Sequence, residues 1–132
     1  MKGLIELGLR RLVLCPGSRS GSLATAAGLL ASSGQLQLNT AIDERSAAFL
    51  ALGLATAGGT GVAVVTTSGT AVANLLPAVI EADRSCQPLL VMTADRPIRL
   101  KECGANQTVN QEHFLRPACR WCGNGVLEGL HA

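Results

Sequence analysis

Short, strongly apolar runs alternate with longer segments of helical composition between residues 12 and 93. The first run, residues 12–15, stops at Pro16-Gly17, and residues 22–31 follow as a stretch of Ala and Leu with helical character. Residues 35–42 open with polar and apolar positions in alternation, the period of a half-buried strand. Residues 46–57 are apolar on nearly every side, as a helix buried all round would be. GVAVVTT (61–67) is a β-branched run, residues 70–83 return to helical composition, and residues 89–93 read as a fourth strand. Strands separated by helix-length crossovers predict an α/β three-layer sandwich with a mainly parallel sheet and right-handed connections. Pro77 lacks the N–H that the carbonyl of Ala73 would use, so a kink or break is expected there. After Arg96 the periodicity fades until about residue 118, and a loop that long in a compact domain is more often functional than incidental.

Composition narrows the classes. The 132 residues suit one compact domain, and with only 2% aromatics its bulk must come from Leu, Val, Ile and closely packed Ala. A net charge of +2 is too small to suggest nucleic acid or a membrane surface as partner. Nine of the eleven cations are Arg, however, the side chain that binds carboxylate and phosphate bidentately, which points to small anions. Residues 46–80 carry no charge, but Gly58-Gly59-Thr60-Gly61 and residues 66–70 divide them into pieces too short to span a bilayer. Charges in MKGLIELGLRR stand where a signal peptide needs an apolar stretch, so a cytoplasmic location is expected by default. Five irregularly spaced cysteines argue against a disulfide framework.

In an open parallel sheet, ligands bind beyond the carboxyl ends of the strands. All four strand ends here are polar or glycine-rich: PGSRS (16–20), IDER (42–45), TTSGT (66–70) and ADRP (94–97). Taken singly, Ser18, Asp43 and Ser68 suit helix N-caps, and Glu44 suits a first-turn acid favoured by the helix dipole. Four such junctions in series, three of them bearing Arg, favour a binding site instead. Standard motifs are absent: PGSRSG is not G-x-G-x-x-G, no Walker lysine follows a glycine loop, and Arg19 occupies the serine position of a nucleophile elbow. Cys119-x-x-Cys122, with Cys103 and His113, is a weak zinc signal, so no metal ligand is expected among these residues. His113 and His131 read as surface histidines.

CPGSRS (15–20), DER (43–45) before an Ala/Gly/Leu-rich helix, VAVVTTSGTAVANLLPAVIEA (62–82), TADRP (93–97) and CGANQ (103–107) occur in order. Together they resemble the amino-terminal part of the MenD family, the menaquinone-pathway 2-succinyl-5-enolpyruvyl-6-hydroxy-3-cyclohexene-1-carboxylate synthases, which are thiamine-diphosphate enzymes. The resemblance runs from about residue 12 to 111. It implies that residues 1–132 are a single, truncated pyrimidine-binding domain. It also implies that Glu44 is catalytic and cofactor-binding, hydrogen-bonding N1′ of the aminopyrimidine and favouring the tautomer that activates thiazolium C2. Gly69 and Asn74 match the segment along the pyrimidine ring, although the proline usual there is Thr70 here. Ser18, Arg19, Arg96, Asn106 and Gln107 match positions that hold substrate or cofactor-bound intermediate. The implied reaction decarboxylates 2-oxoglutarate and adds the resulting enamine to isochorismate, and both substrates carry carboxylates suited to Arg. Arg45 is expected on a solvated helix face.

Such enzymes complete the cofactor site with a diphosphate-binding domain, usually from another subunit, whose G-D-G motif and following Asn hold Mg²⁺. This chain has no G-D-G and is several times shorter than family members, so it is expected to be inactive alone. The alternative is a non-catalytic truncated paralogue or interaction domain with the same fold. A different carboligase, of acetohydroxyacid-synthase type, fits the SRS, ADRP and CGANQ motifs less well.

Overall fold

The computed structural model describes residues 1–123. A short helix α1 (Lys2–Glu6) leads into β1 (Arg11–Leu14), α2 (Gly21–Ser32), β2 (Gln37–Thr40), α3 (Glu44–Gly58) and β3 (Val62–Thr66). Two short helices, α4 (Thr70–Ala73) and α5 (Leu76–Arg84), precede β4 (Leu89–Thr93), and α6 (Glu112–Leu115) follows the long loop. The four strands form one sheet in the order β2-β1-β3-β4, with every pairing parallel. The α/β class and parallel sheet therefore agree with the pattern of the sequence; β4 has the bounds read from it, β1 lies one residue earlier, and β2 and β3 are shorter at their ends.

Alternation along the central strands divides the core in two. Val13, Cys15, Val62 and Val64 face α3 and α5, packing with Ala47, Ala51, Leu75 and Val79. Leu12, Leu14, Ala63 and Val65 face the opposite side, against Leu9, Ala27, Leu30 and Leu36 from α1, α2 and their flanks. Both faces of β3 are covered, so all five of its residues are buried. Full burial of a side chain the size of Leu12 contributes about 1.5–3 kcal/mol.

One expectation is corrected here. The helix at 44–58 is buried along a single stripe, Ala47, Ala48, Ala51 and Ala55, rather than all round. Those small side chains let the helix backbone approach the sheet, and the larger Phe49 and Leu50 are left on the outer face, 42% and 43% exposed. Asp43 caps its first turn by accepting the Ser46 N–H at 2.7 Å, while Gly59, at φ 59°, closes its last. Arg11 of β1 reaches across to donate to the Leu54 carbonyl at 2.8 Å, tying the C-terminal part of the same helix to the sheet.

The expected break at Pro77 is present. The chain leaves α4 at Asn74 and restarts at Leu76, with Pro77 in the first turn of α5, where its missing N–H has no intrahelical partner to lose. No helix among the described residues is long and apolar enough to cross a membrane.

Candidate functional site

Because the strands are parallel and in register, the junctions after β1, β2, β3 and β4 all lie at one rim of the sheet. Neighbouring strands are about 4.8 Å apart, so the four junctions form a row roughly 14 Å long. From β1 the chain moves outward to β2, whereas β3 and β4 lie on the other side of β1. The strand order thus reverses between β1 and β3, the position at which open α/β sheets bind ligands.

The two loops at that switch point touch. A Cβ on Gly17 would lie 2.5 Å from Thr67 Cβ, so only glycine permits this approach. Ser18 and Arg19 are exposed in a 3-10 turn (Ser18–Ser20), and the buried Ser20 hydroxyl donates to the Gly17 carbonyl at 3.1 Å. The N-cap readings of Ser18 and Ser68 are corrected: Ser20 stands at the N-cap of α2 and Gly69 at that of α4, and of Ser18, Asp43 and Ser68 only Asp43 caps through its side chain.

Glu44 begins α3 and is half-buried, and its carboxylate makes no hydrogen bond or ion pair among the described residues. It lies close enough to β1 to act on Cys15, whose thiol is pushed up to about 11, first by burial and then by the Glu44 and Asp43 carboxylates. Cys15 is therefore protonated at neutral pH and is no nucleophile. The Ser46 hydrogen bonds hold the exposed Asp43 carboxyl below its ordinary range. Arg45 is exposed, as expected for a solvated helix face.

The structure gathers the residues after β3 and β4 into one knot. Gly69 adopts φ 84°, and a Cβ there would lie 3.0 Å from the Gln107 carbonyl oxygen. The Ser68 hydroxyl donates to that same carbonyl at 3.0 Å, and Arg96 Nη2 donates to the Asn106 carbonyl at 2.6 Å. Asn106 and Gln107 thus meet the knot through their backbones, with Gln107 at φ 53°. Asn74, at the far end of α4 from Gly69, is exposed. Glu44 stands at β2, three strands from Arg96 at β4, so the predicted residues form two groups along the rim rather than one cluster.

Two residues that the sequence did not single out, Gln111 and Lys101, hold the knot. Gln111 accepts the Gly69 N–H at 2.9 Å and donates to the Ala94 carbonyl at 2.7 Å. Lys101 binds Asp95 at 3.0 Å and Glu112 at 2.9 Å. Thr67, part of the TTSGT junction, forms the floor beneath Gly17. The only advance signal was Lys101, one of two lysines, lying between two acids in the long loop. Among the described residues four buried side-chain atoms lack a partner, and three of them, Thr66 Oγ1, Thr67 Oγ1 and Arg96 Nε, belong to the same two junctions. Buried polar groups are normally satisfied, so this rim has unspent capacity to bind a polar ligand.

Two concavities of about 300 and 240 Å³ lie along α5, α6 and the segment after them, and their linings include none of the four junctions. The rim is an open edge. No group of three or more potential metal-binding side chains forms among the described residues, and His131 lies outside those residues.

A parallel sheet whose switch-point loops meet through glycine, with an unpaired carboxylate on the same rim, is an α/β domain with an open binding edge rather than a self-contained pocket. The family profile described as "Thiamine pyrophosphate enzyme, N-terminal TPP binding domain" matches residues 1–114, and the chain belongs to that family. Among its relatives is the 2-succinyl-5-enolpyruvyl-6-hydroxy-3-cyclohexene-1-carboxylate synthase of Synechococcus sp. (strain CC9902), 94% identical over 132 residues, all of this chain and 23% of that protein. Proteins of the same name from Prochlorococcus marinus (strain MIT 9313) and Parasynechococcus marenigrum (strain WH8102) are 77% and 79% identical over 95% and 92% of the chain, and 22% of each of them. The chain thus spans less than a quarter of the length of these relatives.

Proposed function

We propose that this chain is the pyrimidine-binding domain of a carboligase that decarboxylates 2-oxoglutarate and adds the remaining four-carbon unit to isochorismate, in menaquinone or phylloquinone biosynthesis. Identity of 94% to a synthase of that name supports the reaction. The observation that carries the assignment of roles is Glu44, a half-buried carboxylate at the switch-point rim with no protein partner among the described residues.

The residues fit thiamine diphosphate in kind: a carboxylate at Glu44 with no partner among the described residues, and orphaned hydroxyls on Thr66 and Thr67. When bound, the cofactor supplies an electron sink for the pair released as CO₂ leaves a 2-oxo acid. Glu44 holds a proton against N1′ of the aminopyrimidine, and Gly69 and Asn74 line that ring. Arg19 and Arg96 bind carboxylates of the substrates, with Ser18, Asn106 and Gln107 completing their orientation. Arg96 Nε, buried and unpaired, is a donor left for that purpose. Mg²⁺ and the diphosphate fall to a second domain, contributed by another subunit, and residues 1–132 alone are inactive.

The test places this segment on the remainder of the Synechococcus synthase and follows CO₂ release from 2-oxoglutarate with thiamine diphosphate and Mg²⁺. Glu44→Gln should lower turnover by about 10²–10⁴ with the fold intact by circular dichroism. Turnover at the parent rate would remove Glu44 from the chemistry. A folded parent assembly that releases no CO₂ would favour a non-catalytic paralogue.

A further inference from the structure

Gln111 is the only carboxamide buried among the described residues, 4% exposed, and nothing in the proposed chemistry uses it. Its two ends do different things. The oxygen takes the N–H of Gly69, which is 42 residues away, and the nitrogen gives a proton to the carbonyl of Ala94, 17 residues away. Gly69 starts α4 and presses on Gln107, while Ala94 is followed by Asp95 and Arg96. One rigid amide plane therefore spans the loop after β3 and the loop after β4, and its own backbone continues the segment that carries Asn106 and Gln107. An amide is suited to this, because it offers a donor and an acceptor at a fixed separation at every pH.

We propose that Gln111 is a positioning residue: its carboxamide sets the spacing between the TTSGT and ADRP loops, and through Ala94 and Gln107 it fixes the direction of the Arg96 guanidinium. The part of this that concerns substrate rests on the function proposed above; the spacing itself does not. With Gln111 in place the Gly69 N–H is already taken, so that amide serves the scaffold and not a ligand. Glutamate at this position keeps the acceptor for Gly69 but loses the donor to Ala94, setting a carboxylate against a carbonyl. Protonation of that buried carboxyl, whose pKa burial raises, returns the donor.

The decisive pair is Gln111→Met and Gln111→Glu. In the 132-residue chain, amide exchange of Gly69 should quicken roughly tenfold or more in Gln111→Met, while amides of β1 and β3 keep their rates. In the segment joined to the Synechococcus remainder, Gln111→Met should raise the apparent KM for 2-oxoglutarate about tenfold or more at every pH. Gln111→Glu should show the same defect near pH 8 and lose most of it near pH 5.5, relative to the parent at each pH. A purely structural role would lower Tm without splitting the two variants by pH. Unchanged Gly69 exchange in Gln111→Met, or a KM equal to the parent's in both variants, would overturn the proposal. If Gln111→Met fails to fold, the pH recovery of Gln111→Glu decides alone. A parent assembly without activity would refute the function proposed above and leave the clamp to be judged by exchange.

Discussion

Two glycines set how closely the loops of the rim can approach, and each does so for a separate reason. Gly17 has an extended backbone that any residue adopts, but its Cα sits against Thr67 so closely that a methyl group would meet a buried, β-branched side chain at 2.5 Å. Gly69 has the opposite balance: φ 84° with ψ −139° is a backbone state that side chains resist, and the Gln107 backbone fills the space a Cβ would take. Both Gly17→Ala and Gly69→Ala should destabilise the chain, by roughly 1–3 kcal/mol each, as read by urea denaturation. Gly28→Ala, inside α2 with open space at its Cβ position, should instead stabilise by about 0.5–1 kcal/mol. If the three substitutions proved alike, the close approach at the rim would not be a determinant of stability.

Among elements, the long segment after β4 is the one whose order depends most on charge. Lys101, largely sheltered, ties Asp95 at the strand end to Glu112 at the start of α6. The Glu112 carboxyl is held below its ordinary 4.5, first by its own backbone N–H and then by the Lys101 ammonium, and Lys101 is held above 10.5, chiefly by its bond to Glu112. A depressed carboxyl adds stability that is present above pH 4.5 and lost as pH falls through the folded value; a raised amine adds stability present below pH 10.5 and lost as pH climbs through its folded value. The anchor should therefore be intact between those limits and release on either side. Limited proteolysis within residues 97–110 should accelerate as pH falls below 4.5 and as it rises above 10.5, and Lys101→Met should show fast cleavage throughout. Cleavage of Lys101→Met at the parent rate near neutrality would assign the order of this segment to Gln111 and Ser68 alone.

The whole molecule has an open rim and several large apolar side chains in solvent, Ile42 at 92% and Leu29 at 69% exposed among them. Its relatives are more than four times as long, and residues 1–132 contain no G-D-G segment, which the proposed function assigns to a second domain. Residues 1–132 alone should bind thiamine diphosphate with Mg²⁺ no tighter than about 1 mM by calorimetry, and should enhance the fluorescence of an apolar dye. Micromolar affinity for the isolated chain would contradict the division of the site between two domains.

Much of this was legible in the sequence because it depends on neighbours along the chain. Strand and helix positions follow from periodicity, the break at Pro77 from a missing donor, the Asp43 cap from its place before a helix, and the ligand-facing rim from polar residues at consecutive strand ends. What distance in sequence concealed, only packing decided. The all-round apolar stretch at 46–57 did not tell which side faces the sheet, because Ala fits a close contact and Phe49 and Leu50 do not. Ser68 looked like a cap, yet its hydroxyl turns to Gln107, 39 residues on. Gln111 looked ordinary until the fold set it between Gly69 and Ala94, since a buried amide takes its value from partners that loop closure brings to it. The sequence by itself determined the class of domain and the row of polar strand ends along one rim of the sheet. The tertiary structure alone decided which of them touch, because those contacts join segments whose separation no local pattern encodes.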